Sequence, residues 1–134
     1  NDSKATNVEA TLKALDAYPE RTHLILGGRD KGADFRLVAR ACARGCKGVY
    51  LIGEAAPLIA AAFQEVRERE RMVEVPEPCL CGDLETAVAA ATERAVAGDV
   101  VLLAPACASF DQYQNFEERG EHFRAIVRDL AGRD

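Results

Sequence analysis

Apolar residues recur along this chain in two rhythms, short unbroken runs and longer stretches in which every third or fourth position is apolar. The unbroken runs His23-Leu24-Ile25-Leu26, Gly48-Val49-Tyr50-Leu51-Ile52 and Val100-Val101-Leu102-Leu103 each have glycine at or near one end, which predicts buried strands feeding tight turns. Met72-Val73-Glu74-Val75 reads as a weaker strand between the last two. The helical rhythm fills the intervals. Thr6 followed three positions later by Glu9 is a capping-box pattern that starts a helix over Asn7 to Asp16, with Val8, Leu12 and Leu15 at helical spacing. Asp34 can cap a second helix through Arg44, with Phe35, Val38, Ala39 and Cys42 on one face. A third runs from Ala56-Pro57, where proline suits a first turn, to Arg69. Asp83 caps a fourth from Leu84 to Ala97, turning Leu84, Ala87, Val88, Ala91 and Ala95 inward, and Phe116 to Leu130 forms a fifth through Phe123, Ile126, Val127 and Leu130. Pro76, Pro78 and Gly82 mark a loop, and Pro105 to Asn115 reads as a polar loop or short helical turn.

Strands alternating with helices predict the α/β class, and right-handed crossovers place the strands in one mostly parallel sheet with helices on both faces, a Rossmann-like architecture. The 134 residues suit a single domain with one core. No Met opens the chain, and a dense polar motif stands there with no strand before it, so the expectation is a piece cut at a domain boundary.

Composition then narrows the function. Seventeen basic residues are interleaved with twenty-two acidic ones for a net charge of −5, which argues against nucleic-acid binding through phosphate neutralisation. No apolar run approaches the roughly 20 residues that span a bilayer, and NDSKATN is not a signal peptide, so the expected setting is the cytoplasm, away from membranes. The five cysteines, Cys42, Cys46, Cys79, Cys81 and Cys107, are odd in number and are expected as reduced thiols; their spacings do not form a zinc knuckle, and no metal ligand is assigned. A monomer is expected.

Ligands of open α/β sheets bind beyond the carboxyl ends of the strands, and two such segments are unusually polar. In Gly27-Gly28-Arg29-Asp30-Lys31-Gly32 the glycines let backbone N–H groups approach a ligand and Lys31 adds a flexible positive charge, which suits a carboxylate or phosphate. An ordinary turn with a solvated lysine explains the same residues. In Ala106-Cys107-Ala108-Ser109-Phe110, Ser109 can donate its hydroxyl and backbone N–H to an anion, while no base is at hand to make it a nucleophile. At the start, Asp2, Lys4 and Thr6 alternate along an extended stretch and can face one side, although a tail plus a helix cap is the plainer reading.

Three motifs then carry a resemblance: Asn1-Asp2-Ser3-Lys4-Ala5-Thr6-Asn7, Leu26-Gly27-Gly28-x-x-Lys31-x-Ala33-Asp34-Phe35, and Leu103-Ala104-Pro105-Ala106-Cys107-Ala108-Ser109-Phe110-Asp111-Gln112-Tyr113-x-Asn115-Phe116-x-x-Arg119-Gly120-x-x-Phe123. In this order they resemble the last of the three domains of the Mur ligases. The resemblance implies that residues 1–134 are the amino-acid-binding domain, with the UDP-binding and central ATPase domains outside this chain. It implies an ATP-driven enzyme of peptidoglycan synthesis that joins D-glutamate to UDP-N-acetylmuramoyl-L-alanine through an acyl phosphate, with ATP and Mg2+ held mainly by the central domain. Residue by residue it puts Asp2 on the ATP ribose and Lys4 near the transferred phosphate. Thr6 and the Phe116 backbone would hold the α-carboxylate of D-glutamate, and Lys31, Ser109 and the Phe110 backbone its side-chain carboxylate. The residue after the serine departs from the family's frequent aliphatic, a change that a backbone contact tolerates. Glu74 to Gly82 matches no family motif and reads as a variable connection. Two alternatives stay open. One is a related ligase for another amino acid or polyglutamate, though the arginine-containing signature expected for diamino acids is missing. The other is a non-catalytic Rossmann-like module.

Overall fold

The computed structural model of the chain describes residues 1–131. Its elements are α1 (Val8–Ala17), β1 (Thr22–Gly27), α2 (Arg36–Ala41) continued by a 3-10 turn at Cys42–Arg44, β2 (Cys46–Ile52), α3 (Ala56–Arg69), β3 (Cys79–Gly82), α4 (Leu84–Arg94), β4 (Val100–Leu103) and α5 (Phe116–Ala131). The four strands pair in parallel in the order β3-β2-β1-β4, which is the expected Rossmann-like α/β arrangement. Among the described residues no helix is long and apolar enough to cross a membrane.

Alternation along the strands divides the core in two. Leu24, Leu26, Val49, Leu51 and Leu102 face a layer built from Leu15 of α1, Val38 and Ala39 of α2, and Ile59, Phe63 and Val66 of α3. Ile25, Tyr50, Ile52 and Leu103 face the other way, onto Leu84, Ala87, Val88 and Ala91 of α4 and Phe123 and Ile126 of α5. Central β1 is buried at all six positions, which is why its sequence is an unbroken apolar run instead of an alternating one.

The third strand lies elsewhere than the hydrophobic pattern suggests. Met72 to Val75 is a turn closed by Val75 N–H donating to the Met72 carbonyl at 3.1 Å, with Val75 buried and Val73 75% exposed. The strand is Cys79–Gly82 on the sheet edge, inside the stretch read as a variable connection. An edge strand of four residues contributes main-chain pairing and leaves Leu80 66% exposed, so it needs little apolar signal.

The caps also differ. Asn7, not Thr6, caps α1, its Oδ1 accepting from Ala10 N–H at 2.8 Å, which leaves the Thr6 hydroxyl out of the cap. Asp34 sits one residue before the α2 cap, Phe35; its Oδ1 accepts from Arg36 N–H at 3.1 Å, and the helix gives way to the 3-10 turn before Gly45. The expected apolar face of Phe35, Val38, Ala39 and Cys42 is buried all the same. α4 ends at Arg94, with Ala95 as its C-cap. On α5 the inward face is shifted: Val127 is 43% exposed, while Arg119 and Gly120 point in. All five cysteines are free thiols.

Candidate functional site

The segment after β4 organises the carboxyl edge of the sheet. Expected as a polar loop, Ala104 to Ser109 is in fact buried throughout, and its small side chains allow chain to pass on both sides. From one side the N-terminal stretch lies against it, with Asp2 N–H donating to the Leu103 carbonyl at 2.7 Å, Ala106 N–H to Ala5 at 2.9 Å and the Thr11 hydroxyl to Ala104 at 2.9 Å. Ala106 takes a left-handed φ of 64° in making that contact, a conformation rare for a residue with a Cβ and often found at functional sites. From the other side comes the loop after β1. Gly27 N–H donates to the Pro105 carbonyl at 3.0 Å, and Arg29 and Ala108 exchange N–H donations at 2.8 and 3.2 Å as an antiparallel bridge. Gly28 is required at this crossing, since a Cβ there would lie 2.2 Å from the Ala108 carbonyl oxygen. The turn after β2 closes the edge, with Glu54 N–H donating to Asp111 Oδ2 at 2.9 Å.

Four stretches far apart in sequence thus meet at one edge. Ser109 is 2% exposed, and its hydroxyl has no hydrogen-bond partner among the described residues. Its carbonyl is occupied, accepting from Gln112 and Tyr113 N–H at 3.1 and 2.8 Å, so the turn is fixed while the side chain is left over. A buried hydroxyl without a partner is unfavourable by about 1–3 kcal/mol, which makes Ser109 a candidate contact for a ligand atom. In the β1 loop Asp30 Oδ1 accepts from both Gly32 and Ala33 N–H at 3.0 Å, shaping the turn that displays Lys31. Lys31 is exposed and makes no ion pair among the described residues. Thr6 is half-buried and follows Ala5, whose carbonyl is tied to Ala106. Phe110 presents a ring 59% exposed beside Ser109.

Asp2 and Lys4 line a separate cavity of about 190 Å³ with Phe116, Gly120 and Arg124 among its walls; Thr6, Lys31 and Ser109 do not line it. Phe116 opens α5, where first-turn N–H groups lack helical partners, and its carbonyl accepts from the Ser3 hydroxyl at 2.7 Å. Burial pushes the Cys107 thiol up to about 12, which suits a packed thiol and not a nucleophile.

Arg119 is the residue that sequence reasoning did not single out. It is 1% exposed, with Nε donating to Ser3 Oγ at 2.9 Å, Nη2 to the Ser3 carbonyl at 2.8 Å and Nη1 to the Cys107 carbonyl at 3.1 Å. Burial lowers it to about 10, so it stays charged at neutral pH. One guanidinium therefore ties the opening motif to the segment carrying Ser109. Its signal was present, since a charged residue stands four before Phe123 on an otherwise apolar stripe.

Comparison with known proteins agrees in sequence. The family described as Mur ligase, glutamate ligase domain, matches residues 2–107. A UDP-N-acetylmuramoylalanine--D-glutamate ligase of Natranaerobius thermophilus is 50% identical over 133 residues, covering 98% of this chain and 27% of that protein. Proteins of the same name from Koribacter versatilis and Solibacter usitatus are 48% and 45% identical over 98% and 100% of the chain, and 27% and 28% of their own lengths. The chain thus spans little more than a quarter of the curated relatives it matches.

Proposed function

This chain belongs to the Mur ligase family through its glutamate ligase domain, and we propose that it is the C-terminal, amino-acid-binding part of a cytoplasmic, monomeric ligase that joins D-glutamate to UDP-N-acetylmuramoyl-L-alanine. The observation that carries the reading is the buried, unpartnered Ser109 hydroxyl beside a loop that displays an unpaired Lys31. D-Glutamate bears two carboxylates and needs two anion sites. Lys31, the Ser109 hydroxyl and the Phe110 N–H serve the side-chain carboxylate; Thr6, free of capping duty, and the Phe116 N–H serve the α-carboxylate.

ATP, bound with Mg2+ mainly by the central domain, supplies the phosphoryl group that activates the acceptor carboxylate. The fit on this chain is limited to one corner: Asp2 offers a carboxylate to a ribose hydroxyl, and Lys4 an ammonium to a phosphate, in one small cavity. The Lys4 cation at that position would stabilise negative charge developing on a transferred phosphoryl group. Among the described residues no three His, Cys, Asp or Glu side chains gather as candidate metal ligands.

In the complete ligase, Lys31→Ala raises the KM for D-glutamate roughly tenfold to a hundredfold, the value of a charge-assisted hydrogen bond, and leaves the KM for ATP unchanged. Ser109→Ala raises it about fivefold and does not lower Tm, because the hydroxyl has no protein partner to lose and its removal relieves a buried, unpartnered group. Unchanged D-glutamate KM in both variants, or a preference for another amino acid, would reject the assignment.

A further inference from the structure

We propose that Cys79 and Cys81 form an oxidisable dithiol, at which a small-molecule disulfide is exchanged for an intramolecular Cys79–Cys81 disulfide, and that this exchange displaces the Gly82 carbonyl anchoring the 109–113 loop. These are the two half-exposed cysteines of the chain, whereas Cys42, Cys46 and Cys107 are at most 8% exposed. Their sulfurs stand 3.8 Å apart, with Cys81 the donor.

The backbone permits the bond. Two residues of regular strand span roughly 6.5–6.8 Å, the upper limit of Cα separation in disulfides. β3 is not regular here. Leu80 pairs with Leu51 and Gly82 with Ile52, so Cys81 is an extra, bulged residue without a partner in the ladder. Bulging shortens the span and leaves Cys81 free to turn. The strand is also four residues long and has β2 as its one neighbour, so little pairing resists the adjustment.

The reaction is thiol–disulfide exchange. The Cys79 thiolate attacks one sulfur of oxidised glutathione, its S–S bond breaks, and one glutathione thiolate leaves. Cys81 then loses its proton and attacks the Cys79 sulfur of the mixed disulfide, releasing the second glutathione thiolate. Two protein thiols are oxidised and one disulfide is reduced to two thiols. Burial first, then the contact with Cys79, raises the Cys81 thiol to about 11, and because Cys81 is the donor to the Cys79 sulfur, Cys79 is assigned the attacking role and Cys81 the resolving one.

The product reaches the site through one atom. The Gly82 carbonyl, next to Cys81, accepts from Gly53 N–H at 3.0 Å and from the Gln112 side-chain amide at 2.9 Å. Gln112 N–H in turn donates to the Ser109 carbonyl at 3.1 Å. Puckering β3 to close the disulfide moves this acceptor away from both donors.

The test is to equilibrate the intact protein with reduced and oxidised glutathione under native conditions, then read mass and amide NMR signals. Expected are the reversible loss of two hydrogens mapped to the Cys79–Cys81 peptide and shifts of the Gly53 amide and Gln112 side-chain signals. Cys81→Ser stops at one glutathione adduct on Cys79, and Cys79→Ser gives neither product. No loss of two hydrogens in the most oxidising buffer overturns the dithiol. Oxidation with Gly53 and Gln112 unmoved overturns the coupling, and an adduct on Cys81 in Cys79→Ser overturns the order of attack. A further arm rests on the glutamate-binding reading: the oxidised ligase shows a several-fold higher KM for D-glutamate. If the signals move while Lys31→Ala leaves that KM unchanged, the reading of function fails and the dithiol stands.

Discussion

The two ends of the sheet handle buried polar groups in opposite ways. Where the strands begin, the half-buried Asp99 has its side chain covered and fully served, accepting from Arg21 at 3.2 Å, His23 at 3.0 Å, Lys47 at 2.9 Å and Val96 N–H at 3.1 Å, while the other His23 nitrogen is hydrogen-bonded to the Tyr50 hydroxyl at 2.9 Å. Where the strands end, Ser109 is buried and has no partner, and Lys4 and Lys31 carry charges without counter-ions among the described residues. A closed network holds strands in register; the open set of donors is what the proposed ligand would meet. Satisfaction of hydrogen bonds, more than residue type, separates a structural cluster from a binding one.

The largest expected effect breaks the contrast from the open end. Arg119→Ala leaves two carbonyls and a hydroxyl buried without their donor, and unfolding measurements should show a loss of about 3 kcal/mol or more. In the complete ligase the same change should raise the D-glutamate KM, since Ser3 and Cys107 are no longer tied. A stable variant with normal KM would reduce Arg119 to filler.

A smaller effect comes from the closed end. Hydrogen bonds from His23 and Lys47 and the Val96 N–H hold the Asp99 carboxyl well below the usual carboxylate range. A depressed value in the folded state means that this contribution is fully present above the unfolded value of about 4 and is lost as pH falls through the folded one. The Tm gap between the native chain and Asp99→Asn should therefore be widest near neutrality and narrow below about pH 4, with D-glutamate KM unmoved. A gap independent of pH would show that the carboxylate's charge is not what matters there.

The smallest separates two adjacent residues. Asn7→Ala removes the α1 cap and should lower stability by about 1 kcal/mol, whereas Thr6→Ala should leave stability in place and raise the D-glutamate KM. The reverse pattern would return Thr6 to a capping role.

Much of this was legible from the chain alone, for reasons that differ by element. β1, β2 and β4 announce themselves because burial on both faces demands continuous apolar residues, and α3 because Pro57 and its charged last turn mark both ends. β3 was hidden because its side chains are little buried, Leu80 being 66% exposed, so backbone pairing holds it and the side-chain pattern is blind to that. The α1 cap was misplaced by one residue because Thr6 and Asn7 are both competent acceptors and local sequence does not choose between them. At the site, Gly28, Lys31 and Ser109 stood out by type and position after a strand. Arg119 did not, because a guanidinium satisfied by carbonyls depends on where distant chain happens to pass.

That guanidinium has a mechanical implication. With Ser3 clasped to α5 and to Cys107, and Ala5 pinned to Ala106, a pull on the first residues is not absorbed by a slack tether. It is transmitted to the whole rim, so Lys4 and the turn bearing Ser109 move as one body under any load on those residues.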